Sequence, residues 1–228
     1  MIDLQHVTKK YSNGIVALED INLHIDKGEF IYLVGPSGAG KSSFIRLLNR
    51  EIKASEGQIY VGDFDLIKMR KKQLPYLRRF LSIVYQDYKL LENKTVYENV
   101  AYAMEVVEKP HKEIKQRTME VMDLVGLKNK ARMYPRELSG GEKQRVAIAR
   151  AVVNTPRVII ADEPTGNLDP ETAWGIMEIF EEINNQGTTI IMATHNSSIV
   201  NTLKHRVVAL ENGRIVRDDE RGEYGYEA

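Results

Sequence analysis

The chain has 228 residues, enough for one large domain or two small ones with a sizeable core. Its 32 Lys and Arg balance 32 Asp and Glu, which argues against a general nucleic-acid binder, and the lack of cysteine excludes disulfides, thiolate metal sites and a cysteine nucleophile. No apolar run approaches the ~20 residues of a membrane span, and Met1-Ile2-Asp3-Leu4-Gln5 carries neither a basic leader nor a hydrophobic stretch, so a cytoplasmic chain is expected.

Short apolar runs alternate with longer patterned ones, which predicts a mostly parallel α/β sheet. Strands are predicted at Phe30–Val34, 81–85, 157–161 and 188–193, where near-continuous apolar character suits burial on both faces. A helix is predicted at 42–49. Between 96 and 153 the spacing is helical throughout, at 96–107, 114–125 and 141–153, with breaks at Pro110, Gly126 and Pro135. A helical subdomain over 87–155 is therefore expected inside an α/β core formed by 1–86 and 156–217, the whole being a single domain. Strands at 206–210 and 214–216 flank Glu211-Asn212-Gly213, a strong hairpin signal. Residues 218–228 hold five acidic side chains and are expected to form a loosely ordered acidic tail.

Gly35-Pro36-Ser37-Gly38-Ala39-Gly40-Lys41-Ser42 fits the pattern G-x-x-x-x-G-K-[ST], following a predicted strand and opening a predicted helix. Its glycines let successive N–H groups converge on phosphate oxygens, and the helix N-terminus favours an anion. Lys41 is expected to reach the β- and γ-phosphates of a nucleoside triphosphate, and the Ser42 hydroxyl to ligate Mg²⁺. A second element, Val158-Ile159-Ile160-Ala161-Asp162-Glu163, brings two carboxylates to the carboxyl edge of the sheet. Asp162 is expected to hold Mg²⁺ directly or through water, and Glu163 to polarise the attacking water. A carboxylate at 163 favours a hydrolase over a passive nucleotide sensor.

Leu138-Ser139-Gly140-Gly141-Glu142 is a further phosphate-binding device: a hydroxyl, two glycines and a helix N-terminus. One chain thus carries one cradle more than a single ATP needs, and one resolution is a head-to-tail dimer with each ATP between two chains. With the phosphate loop and the Asp-Glu strand, LSGGE resembles the ATP-binding cassette (ABC) ATPase family over essentially the whole chain. That resemblance implies a P-loop fold with an antiparallel β region beside the parallel sheet and a homodimer that sandwiches ATP. The contacts it implies for the nucleotide include Ser37, Gly38, Ala39, Gly40, Lys41, Ser42 and Ser43, with Ser139, Gly140, Gly141 and Glu142 acting across the dimer. It further implies that Tyr11 stacks on adenine, that Gln86 touches Mg²⁺ or the attacking water and relays to a membrane partner, and that Asn167-Leu168-Asp169 crosses to the opposite cassette. His195 matches the histidine that bonds the γ-phosphate. Ser43 stands where the family commonly has threonine, and Asn196 where importers often carry aspartate.

Asp162-Glu163-Pro164-Thr165-Gly166-Asn167-Leu168-Asp169 resembles the branch serving lipoprotein release, macrolide export and cell division. Tyr85-Gln86-Asp87-Tyr88-Lys89-Leu90-Leu91, Thr95-Val96-Tyr97-Glu98-Asn99-Val100 and Ala193-Thr194-His195-Asn196 are most similar to its cell-division members, as are Val216-Arg217-Asp218-Asp219-Glu220 and Tyr224-Gly225-Tyr226-Glu227. The implied setting is the cytoplasmic face of the membrane at the division site, with a polytopic partner of the FtsX type and an indirect link to a peptidoglycan hydrolase. The alternatives are an exporter ATPase and a weakly hydrolysing, ATP-gated scaffold. Tyr85, Tyr88, Leu90 and Leu91 are candidates for a docking groove or for core. Segment 68–79 holds Lys68, Arg70, Lys71, Lys72, Arg78 and Arg79 without an acidic residue, and reads as a solvated face, a contact for anionic headgroups or, third, a nucleic-acid contact.

Overall fold

The computed structural model describes residues 1–225. Its elements in chain order are β1 (Ile2–Lys10), β2 (Val16–Ile25), β3 (Phe30–Val34), α1 (Lys41–Leu48), β4 (Glu56–Val61), β5 (Phe64–Asp65), α2 (Leu74–Phe80) and β6 (Leu81–Val84). There follow α3 (Val96–Glu105), α4 (His111–Leu124), α5 (Gly140–Val152), β7 (Val158–Asp162), α6 (Pro170–Asn185), β8 (Thr189–Ala193), α7 (Ser197–Leu203), β9 (Arg206–Glu211) and β10 (Arg214–Asp219).

Two sheets result. The larger runs β10-β9-β3-β8-β7-β6, parallel from β9 to β6 with β10 added antiparallel at one edge. The smaller, β2-β1-β4-β5, is antiparallel throughout. Alternation within β3 shows how the layers stack. Phe30, Tyr32 and Val34 enter one core with residues of α3, α4, α5 and α6, whereas Ile31 and Leu33 enter a second core with α1 and the antiparallel sheet. A strand buried on both faces needs an unbroken apolar run, and Phe30–Val34 supplies one.

The predicted elements lie within a residue or two of the observed ones, save that α4 starts at His111 and β10 extends to Asp219. The sequence pattern marks no strand before Phe30 or between Asn49 and Leu81, and no helix at Pro170–Asn185; β1 and β2, then β4 and β5, and α6 are found there. β1 buries Ile2, Leu4 and Val7, but its register shifts between Leu4 and Val7 and breaks the two-residue period that marks a strand. The loosely ordered tail is corrected for residues 218–225. β10 runs through Asp219, and the Arg206 guanidinium holds the Asp218 carboxylate by two hydrogen bonds of 2.6 and 2.7 Å. Arg217 donates to the Gly225 carbonyl at 2.7 Å, and Gly222 is buried against Val207. Acidity suggested a solvated end, yet arginines on β9 and β10 supply the counter-charge. Residues 226–228, which include the predicted Tyr226-Glu227, lie outside the described residues.

Candidate functional site

The phosphate loop links the end of β3 to α1. Gly40 precedes the helix at φ 111°, and a Cβ there would sit 2.6 Å from the Ala17 carbonyl oxygen and 2.8 Å from Leu18 Cδ2, so both its backbone and its surroundings require glycine. The β9–β10 turn buttresses the loop: Gly213 N–H donates to Ala39 at 3.1 Å, while Glu19 N–H donates to the Gly213 carbonyl at 2.8 Å. No side chain caps α1 and no acid lies in its first turn, so its N–H groups stay open to an anion. The Lys41 ammonium folds back onto the carbonyls of Gly35 (2.5 Å) and Pro36 (3.1 Å), contacts that a phosphate can replace. Tyr11 and Ser43 share a hydroxyl–hydroxyl hydrogen bond of 3.1 Å, which places the tyrosine ring beside the start of α1.

The parallel strands deliver the carboxylates to the same edge. Asp162 closes β7 half-buried; burial raises its pKa, the Glu163 charge adds to the rise, and the nearby Lys41 offsets it. Glu163 sits at φ 48°, its N–H donating to Ala193 at 2.9 Å. That left-handed step turns its side chain to His195, whose Nδ1 is 2.8 Å from Glu163 Oε2 and whose N–H donates to the same oxygen at 3.2 Å. Glu163 is 16% exposed and His195 62%, so the carboxylate is sheltered and the imidazole faces outward. Exposed Gln86 donates to Asn167 Oδ1 at 3.5 Å. The Ser42 hydroxyl, the Asp162 carboxylate and the Gln86 amide oxygen are all hard donors, the set that suits Mg²⁺ held jointly with substrate phosphates. Burial makes the bare Asp162 charge costly, so a cation there relieves it.

The LSGGE residues form a separate assembly. Ser139 caps α5 by accepting from Glu142 N–H at 3.3 Å, and Glu142 Oε2 returns the bond by accepting from Ser139 N–H at 3.0 Å. Lys130 pairs with the other oxygen of Glu142 and, with Ser139, holds that carboxyl below its ordinary range. Gly141 is buried, and a Cβ there would run into Thr172 Cγ2 of α6. Gly140 is exposed and lies beside the Tyr88 hydroxyl and Leu168. Asp169 caps α6, accepting from Thr172 N–H at 3.0 Å; the Thr172 side chain and then this N–H lower its pKa. Thr172 therefore touches both the LSGGE helix and the cap of α6. Among the described residues, no hydrogen bond or ion pair joins Ser139, Gly140, Gly141 or Glu142 to the phosphate loop, Asp162, Glu163 or His195.

The family model described as ABC transporter matches residues 18–166. This chain belongs to the ABC transporter family. It is an ATP-binding cassette of that family and an ATPase. It is 62% identical over 227 residues to the cell division ATP-binding protein FtsE of Streptococcus pneumoniae, covering 100% of this chain and 99% of that one. Identity to the FtsE of Bacillus subtilis is 57% over 225 residues, covering 99% of each. Among solved structures, the dimeric, post-hydrolysis ATP-binding cassette MJ0796 bound to ADP and Pi superposes with a TM-score of 0.87 at 32% identity, covering 98% of this chain and 100% of that one.

Three residues that organise the cassette escaped the sequence reading. Tyr88 and Lys89, just after Gln86, both take left-handed backbone angles (φ 58° and 47°), and the Arg150 guanidinium of α5 holds their carbonyls at 2.9 and 2.7 Å. Burial lowers the Arg150 pKa, and among the described residues its bonds run to backbone carbonyls, with no carboxylate. Asn99, wholly buried, accepts from Leu91 N–H at 2.8 Å and donates to the carbonyls of Leu91, Lys94 and Thr95 at 3.0–3.1 Å, which fixes the turn leading into α3. Thr172 is the third. A polar residue on the apolar face of a helix was the available signal for Asn99; nothing local marks Arg150 or Thr172. Of the docking candidates, Leu90 packs on the helical core, whereas Tyr85 lines a cleft of about 380 Å³ with Glu51, Arg78, Ala103 and Arg150.

Proposed function

We propose that this cassette is the ATP-driven motor of a bacterial cell-division complex, of the FtsE type. It works as a homodimer on the cytoplasmic face of the membrane with a polytopic partner of the FtsX type, and through that partner governs a peptidoglycan hydrolase. Full-length identity of 62% to FtsE supports the branch. Among the described residues no helix is long and apolar enough to cross a membrane, so membrane attachment would come from a partner or from the surface.

The observation that carries the mechanism is the separation of the two phosphate-binding devices within one chain. Gly38, Ala39, Gly40 and Lys41 wrap the β- and γ-phosphates, Ser37 and Ser43 flank them, and Tyr11 stacks on adenine. Ser42, Asp162 and Gln86 would hold Mg²⁺, which would supply charge neutralisation on the phosphates. Glu163 takes a proton from water as the water oxygen bonds to the γ-phosphorus; the bond to the bridging oxygen breaks and leaves ADP and phosphate. His195 swings from Glu163 toward the γ-phosphate. Ser139 of one copy, whose hydroxyl proton its own cap leaves unspent, donates to the γ-phosphate bound by the other, and Asp169 lies across the interface. The helical unit 87–155 swings the LSGGE residues onto the facing nucleotide.

The test is size-exclusion chromatography of Glu163→Gln with saturating Mg²⁺ and ATP. A dimer is expected that Ser139→Ala weakens; a monomer under those conditions overturns the composite site.

A further inference from the structure

The cleft lined by Tyr85 and Arg150 is bordered by α2 through Arg78, and α2 belongs to the basic segment that nucleotide chemistry leaves unused. A 3₁₀ turn at Lys71–Gln73 runs without a break into α2, with Gln73 Oε1 accepting from Arg70 N–H at 2.9 Å and Pro75 in the first turn. Leu66, Met69 and Leu77 are buried and Leu74 and Phe80 pack on the same core, so the segment is anchored along its inner side. Everything charged faces out. Lys68, Arg70, Lys71, Lys72, Arg78 and Arg79 are all exposed; Lys68 pairs with Asp65 at 3.3 Å, and among the described residues the other five have no ion-pair partner.

A solvated helix of a chain with zero net charge ordinarily interleaves acids with its bases. Here six cations share one shelf with two exposed apolar side chains, Ile67 (41% exposed) and Tyr76 (58%), and the Arg79 guanidinium lies 5.4 Å from the centre of the Tyr76 ring. Cations flanked by an aromatic and an aliphatic tip match an anionic lipid surface: headgroup phosphates meet the charges, and the ring sits at the headgroup level. A nucleic-acid reader would instead need a groove or a stacking platform with several aromatic faces, and Tyr76 is the only aromatic side chain exposed on this shelf among the described residues.

We infer that the 68–79 shelf is a direct membrane contact of the cassette, additional to the proposed membrane partner, binding anionic phospholipid headgroups beside the cleft lined by Tyr85 and Arg150. The inference rests on the proposed membrane setting. A contact of this kind adds to the protein partner by avidity, since the second attachment is intramolecular once the first has formed.

The probe is flotation of the full chain with neutral phosphatidylcholine vesicles and with vesicles containing about 30% phosphatidylglycerol. About tenfold more protein is expected on the anionic vesicles at about 0.1 M salt, falling away near 0.5 M as screening sets in. The triple variant K71E/K72E/R79E should abolish that preference while keeping ATP-dependent dimerisation in the Glu163→Gln background and an unchanged unfolding temperature. Tyr76→Ser keeps every charge and should weaken binding about threefold, which separates headgroup insertion from a diffuse field. Equal binding to both vesicles by the wild type overturns the inference, as does retained binding by the triple variant. Binding to a single-stranded oligonucleotide without preference for anionic vesicles also overturns it, in favour of a nucleic-acid contact. If dimerisation fails while vesicle binding persists, the motor reading falls and the shelf stands.

Discussion

The phosphate loop and the LSGGE turn, both proposed to meet phosphate, are opposite in construction. The loop is held from outside: Gly213, Ala17 and the strand ends position it, and its one cation rests on backbone carbonyls until phosphate arrives. The LSGGE turn holds itself, through a reciprocal cap between Ser139 and Glu142 fastened by Lys130. Their carboxylates differ in sign as well. Asp162 is half-buried and resists ionisation, whereas Glu142 is stabilised as an anion by Lys130 and the Ser139 N–H, and Asp169 by Thr172. One half is built to receive charge, and the other is satisfied alone and presents a finished surface. Halves of that kind suit the proposed composite site, in which a second copy would bring the finished surface to the receptive one.

That contrast is broken most severely at the proposed base, Glu163. Glu163→Gln should lower Mg²⁺-dependent phosphate release by about 10²–10⁴-fold with ATP affinity retained, as read by single-turnover assay and titration calorimetry. Loss of affinity in step with rate would mean that Glu163 serves binding.

Independence of the halves is sharpened by Gly141→Ala, whose methyl meets Thr172. The crowding should cost about 1–3 kcal/mol of stability and abolish ATP-dependent dimerisation, while a single chain binds ATP as before. A matching fall in single-chain affinity would show that the halves are coupled within the chain.

Arg150→Lys replaces a two-pronged donor with a point charge under the left-handed pair Tyr88 and Lys89. A loss of about 1–3 kcal/mol is expected in urea unfolding, with faster amide exchange confined to the segment after Gln86. Uniform exchange across the chain would deny Arg150 that local role.

The smallest effect is a pair of opposite pH trends. The folded state raises the Asp162 pKa, so ionising it costs stability above the ordinary carboxylate range and nothing below it. Asp162→Asn should therefore raise the unfolding temperature at neutral pH, a gain that shrinks on acidification toward pH ~4. The folded state lowers the Glu142 pKa, so its contribution is present above the ordinary range and lost as pH falls through the lowered value. Glu142→Gln should lower the unfolding temperature at neutral pH, and that deficit should vanish in acid. Trends of the same sign would erase the distinction between the halves.

Much of this was legible because the chemistry is local. A strand, a glycine loop and Lys41-Ser42 occupy one continuous stretch, and so do an apolar strand and Asp162-Glu163, so their spacing fixes their geometry. The misses have a common cause. β1 hides behind a register shift, the acidic end of the chain is paired by arginines on β9 and β10, and Arg150 acts on backbone sixty residues away in sequence. Chain order by itself determined which groups can touch phosphate, because each cradle is built from neighbours along the backbone. Only the tertiary structure decided how those groups stand relative to one another: which carboxylate is buried, which histidine meets Glu163, and that the LSGGE turn bonds with Glu142 and Lys130. Those outcomes depend on desolvation and on contacts between distant segments, and neither is written in the spacing of residues.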